Sequence, residues 1–92
     1  MLPRNKAVYA TYKAREYVLR DNIRICDDWI KSHNNFINKH VKYASQSSSA
    51  GYRARCIKAI NVRKVALTEH KKKKALYAEK LNRLLRKMSS MK

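Results

Sequence analysis

Apolar residues along this chain recur at intervals of three and four, the spacing that lines one face of a helix. From about Asn5 to Ala44 one line reads Leu19, Ile23, Cys26, Ile30, His33, Ile37, Val41, and Val8 and Tyr12 extend it backwards. A second line, Val18, Ile25, Trp29, Phe36, Tyr43, falls roughly a quarter-turn round at about 100° per residue. The first helix therefore carries two neighbouring apolar faces, and a single partner helix needs only one. Two readings follow: one wide core stripe, or one face for the chain's own second helix and one for an external protein.

From about Tyr52 to Met88 a second line keeps a strict four-three alternation: Cys56, Ile60, Arg63, Leu67, His70, Lys74, Tyr77, Leu81, Leu84, Met88. Such a repeat favours a coiled-coil seam, although Arg63, His70 and Lys74 make its middle polar. Between the two segments lies Ser45-Gln46-Ser47-Ser48-Ser49-Ala50-Gly51. Serine competes for backbone hydrogen bonds and caps helix starts, and glycine takes the left-handed conformation that ends a helix. Gly51 and Pro3 are the single glycine and proline, too few for the turns of an antiparallel sheet.

The expected fold is all-α and forms one structural unit. Helix one occupies residues 1–44, a Ser-rich linker 45–51, and a strongly basic helix two 52–92. Each helix of about 40 residues would run ~60 Å. The pair forms either a helical hairpin or an extended bent rod.

Charge changes the picture from fold to partner. The 92 residues include 23 Lys and Arg against 6 Asp and Glu, a net +17. Charge of one sign repels itself and opposes compaction, so a polyanion is the expected neighbour: RNA, DNA, an anionic membrane or an acidic protein surface. Six tyrosines, one Trp and one Phe within a 45% hydrophobic composition argue against disorder. A core this small is expected to lean on its partner. The excess is uneven, with nine basic and four acidic residues in 1–44 and fourteen against two in 52–92. Cys26 and Cys56 are too few for a disulfide framework, though they could meet across a hairpin. Neither a signal peptide nor an 18-residue apolar stretch is visible, and residues 1–20 fit a mitochondrial presequence weakly. An intracellular, reducing setting is expected.

Lys71-Lys72-Lys73-Lys74 covers most of a helix circumference, so that turn sits in solvent or against negative charge. A basic-zipper reading fails because the leucine repeat lasts barely two heptads. His33, His40 and His70 lack the convergence of a metal site. Asp27-Asp28 point about 100° apart on a helix and do not converge as an acid–base pair must. There is no glycine-rich phosphate loop and no nucleophile beside a base. Hence the expectation is a non-enzymatic protein with no catalytic residues, cofactor or metal. Tyrosines among basic residues leave RNA binding open, as in a ribosomal protein, although core packing is the expected use of each of them.

Two local patterns add a resemblance. Trp29-Ile30-Lys31-Ser32-His33 follows Asp28, and Val62-Arg63-Lys64-Val65-Ala66-Leu67 precedes Tyr77-Ala78-Glu79-Lys80-Leu81-Asn82. Together they resemble small helical cilia- and flagella-associated proteins that line the inside of axonemal doublet microtubules. The chain departs from that family at Lys71 to Lys74, where the family carries glutamates. The resemblance implies a structural protein of the cytoplasm and cilium axoneme that binds tubulin in the doublet lumen and stabilises it. Arg53, Lys58, Lys64 and Lys71, Lys72, Lys73 and Lys74 would then supply attraction to the acidic surface. Trp29 and Phe36 would supply apolar anchors, and Tyr77 is a further expected partner-binding residue. Two alternatives stand: an rRNA-bound protein of the mitochondrial ribosome, or an accessory helical subunit of a mitochondrial respiratory complex.

Self-repulsion among 23 cations predicts a measurable salt response. The isolated chain should be only partly helical in low salt and gain helix when sulfate or a partner is added, as read by far-UV circular dichroism. A cooperatively melting, fully helical monomer in low salt would contradict this.

Overall fold

Seven-residue periodicity in both halves of the chain resolves into two antiparallel helices packed along one seam. A computed structural model describes residues 3–91. Helix α1 spans Pro3–Gln46 and α2 spans Ala50–Ser89. They fold back on each other as a hairpin measuring 71 × 14 × 13 Å, so the extended bent rod is not adopted. No helix among the described residues is long and apolar enough to cross a membrane.

The α2 seam lies where its repeat places it. Cys56, Ile60, Leu81, Leu84 and Met88 are buried, and Arg63, Leu67, His70, Lys74 and Tyr77 between them are half-buried. In α1 the inward positions are Tyr9, Tyr12, Glu16, Leu19, Ile23, Cys26, Ile30, His33, Ile37, His40 and Ala44. This corrects the first apolar line at its ends. Val8 and Val41 are exposed, because an unbroken three-four alternation passes through Tyr9 and through His40 and Ala44 instead.

The second line of α1 is the uncovered one. Val18, Ile25, Trp29 and Tyr43 are exposed, and Phe36 is half-buried. A two-helix hairpin has no third element to cover this face. The core is accordingly one layer deep, and no side chain in it is completely shielded.

The connection is shorter than the expected linker 45–51. It consists of Ser47, Ser48 and Ser49 alone. Ser49 caps α2, its side chain accepting from the Tyr52 N–H at 3.3 Å, while Ser47 Oγ accepts from the Ser49 N–H at 3.1 Å. The expectation that Gly51 ends helix one is corrected. No glycine has positive φ, and Gly51 is the second residue of α2. Serine side chains satisfy the turn, so no left-handed residue is needed.

Helix-end electrostatics are one-sided. Neither helix has an acid in its first turn to meet the positive dipole end, whereas Arg86 and Lys87 complement the C-terminal end of α2.

A Cβ added at Gly51 meets nothing within 4 Å. Gly51→Ala should therefore stabilise the hairpin by about 0.5–1 kcal/mol through reduced unfolded-state entropy. Ser49→Ala should cost about 1 kcal/mol by removing the cap. Thermal melts of the two variants at one ionic strength should move in opposite directions.

Candidate functional site

At the centre of the rod the apolar seam gives way to nitrogen atoms. Antiparallel pairing sets His33 of α1 opposite His70 of α2, with His33 Nε2 at 3.1 Å from His70 Nδ1. Arg63, two turns nearer the loop, reaches back to place its Nη1 at 3.1 Å from His33 Nδ1. A guanidinium has donors only, so His33 Nδ1 must accept. The His33 proton then sits on Nε2 and is donated to His70 Nδ1. This assignment satisfies both His33 contacts. It leaves the 3.0 Å approach of His70 Nδ1 to the Ala66 carbonyl without a proton to share.

Aromatic rings close the cluster. Trp29 stacks on His33 and His70, with centroids 5.7 and 5.5 Å away, yet its indole remains 48% exposed. Phe36 lies between the His40 ring at 3.8 Å and the Arg63 guanidinium at 4.2 Å. A cation over a ring in a half-buried place is worth about 1 kcal/mol. His33 is 4% exposed. Burial first, then the neighbouring His70 and Arg63, hold its imidazole below the ordinary value.

The cationic residues named from sequence divide into two groups. Arg53, Lys58, Lys64, Lys71, Lys72 and Lys73 all point to solvent. Lys74 turns inward across the seam and pairs with Asp27 at 2.6 Å. The lysine tetrad is thus three solvated cations and one internal partner. Tyr77 is likewise a half-buried seam residue. Trp29 and Phe36 sit together at the central cluster, while Arg53 and Lys58 lie near the loop.

Carboxylates are accounted for within the chain. Glu16 is held between Arg20 at 2.9 Å and Lys13 at 3.1 Å, and these two hydrogen bonds keep its carboxyl below the usual range. Asp21 and Asp28 both pair with Arg24. Asp27 pairs with Lys74, Glu69 with Lys72, and Glu79 with Arg83. All six acids are engaged, and most of the cations have none left to meet.

Taken singly along the chain, the histidines do not reveal the His33–His70 pair. The signal was present: both occupy seam positions, and an antiparallel hairpin with a short central turn sets them level. The same register separates the cysteines. Cys26 lies beside the Asp27–Lys74 level and Cys56 beside Tyr52 and His40, so both are buried free thiols that do not meet. Among the described residues no group of three or more His, Cys, Asp or Glu is placed to hold a metal ion.

His33 binds its proton more weakly when folded than when unfolded, so the unfolded chain takes up more protons on acidification. Its contribution should be complete above an unfolded value of about 6.5 and be lost as pH falls through the lower folded value. Melting temperature should fall as pH is lowered from neutral through the folded value of His33, and His33→Leu should flatten that part of the profile. An unchanged slope in the variant would assign the acid sensitivity elsewhere. Comparison of the chain with protein-family models, with curated proteins and with solved structures finds no match.

Proposed function

We propose that this protein is a non-enzymatic structural subunit that lies along an acidic protein surface in a larger assembly. The observation that carries this reading is the engagement of every carboxylate inside the chain. With net charge +17 and all six acids already paired, the remaining cations are left to meet the acids of a neighbour. Rod shape suits the role, since a 71 Å hairpin presents its charge over a long track.

Exposed aliphatics favour a protein over a nucleic acid. Ile57, Val62, Val65 and Leu76 stand among the α2 cations, and Val62 and Val65 are 64% and 66% exposed. Phosphate tracks reward cations and aromatic stacking platforms. Mixed aliphatic and cationic surfaces match protein interfaces, where apolar contacts give affinity and charge gives steering. The resemblance to axonemal inner proteins makes tubulin of the ciliary doublet lumen the specific partner of this proposal, with the exposed Trp29 as an anchor.

Co-sedimentation with purified, nuclease-treated axonemes tests it. The protein should pellet with the doublets and resist high-salt extraction, because an enclosed, partly apolar contact is screened less than an exposed ionic one. Release by nuclease, or failure to pellet, would turn the assignment away from microtubules.

A further inference from the structure

The exposed face of α1 continues into a groove at the open end of the hairpin, away from the serine turn. Val18, Leu19 and Leu84 form its floor, with Ala14 and Thr11 at the α1 edge. Arg15 rims one side, and Lys80, Arg83 and Lys87 rim the other. No acidic residue lines it. Arg83 pairs with Glu79, whereas Arg15, Lys80 and Lys87 have no carboxylate partner among the described residues. Val18 is 55% exposed although it stands over buried Leu84.

We infer that this groove is the docking site for one acidic amphipathic helix of the partner, which completes a three-helix bundle at the open end. Shape comes first. The trough between two antiparallel helices fits a third cylinder at interaxial distances of about 8–10 Å, and a flat bilayer does not enter it. The floor is aliphatic, so the occupant needs an apolar stripe at three-four spacing. The rim is cationic on both banks, so the residues flanking that stripe are Asp and Glu. A second copy of this chain is excluded by charge, since each copy would bring +17 to the contact. The second line of α1 runs on from Val18 through Ile25 to Trp29, which lets one straight helix extend its contact toward the middle of the rod.

This inference rests on the proposal of an acidic protein partner and specifies its contact. The test uses the full chain and three probes: a synthetic helix of about 21 residues with Leu at seam positions and Glu elsewhere, the same peptide with Ala for Leu, and phosphatidylserine vesicles. Fluorescence anisotropy should show the Leu-bearing peptide binding at least about tenfold more tightly than the Ala peptide. Val18→Glu should weaken that binding about tenfold. Val41→Glu, the same substitution at an exposed valine near the turn, should alter it less than about twofold. Equal affinity for the two peptides, or equal effects of the two variants, would overturn the groove as the site. So would vesicle binding that depends on Val18 while the Leu peptide fails to bind. The axoneme experiment separates this from the broader reading. Wild type and both variants pelleting equally would defeat the groove alone. Groove-dependent peptide binding without pelleting would defeat the microtubule assignment alone.

Discussion

A hairpin one layer deep has nothing behind its seam, so the side chains between α1 and α2 must supply both burial and register. The two ends of the seam do the first with Leu19, Leu81, Leu84 and Met88 toward the open end and Ile37, Cys56 and Ile60 toward the turn. The middle does the second. A slip of one heptad would carry Asp27 from Lys74 to Leu67 or Leu81 and would separate His33 from His70. Apolar contacts tolerate such a slip, whereas a buried imidazole left without its partner does not. Polar residues at inward positions of paired helices specify register in this way at a cost in stability.

The same polar middle ties the fold to its electrostatics. Arg63 lies over Phe36 and donates to His33, so one cation of the excess is absorbed into the core without a carboxylate. Lys74 is neutralised by Asp27. Most of the other cations stay on the outside, where α2 presents an almost continuous basic surface interrupted by Ile57, Val62, Val65 and Leu76. Burial at a single seam opposes repulsion along the full length of both helices. A neighbour that brings acids therefore acts on folding as well as on binding.

Much of this was legible in the amino acids. The four-three repeat from Cys56 to Met88 contains all five buried residues of α2 and the half-buried polar ones between them, with Ala59, Ala66, Ala78 and Leu85 flanking it, because periodicity rather than hydrophobicity marks a seam. The second apolar line of α1 was visible for the same reason, and it is the face left uncovered. Helix boundaries were less legible. Gly51 read as a helix stop, yet three serines make the turn, and a glycine with negative φ sits in a first turn without strain. Val8 and Val41 misled because they are apolar next to the true seam residues Tyr9 and His40. What no single-helix reading supplies is the pairing across the hairpin. The length of the turn fixes it, and with it the facing histidines, the inward Lys74 and the distance between the two cysteines.

The three-residue serine turn also dictates how such a molecule assembles itself. Partners across the seam become more distant in sequence with every step from the turn, reaching 37 residues at the His33–His70 level. Closing the shortest loops first is entropically cheapest, and each closed pair shortens the effective loop for the next. The chain should zip from the Ser49 cap outward, with Cys56 and Ile60 docking early and Leu84 and Met88 last. The crossing of the nitrogen-rich midsection should then be the slow step, because His33, Arg63, His70 and Lys74 bring polar atoms into the seam there.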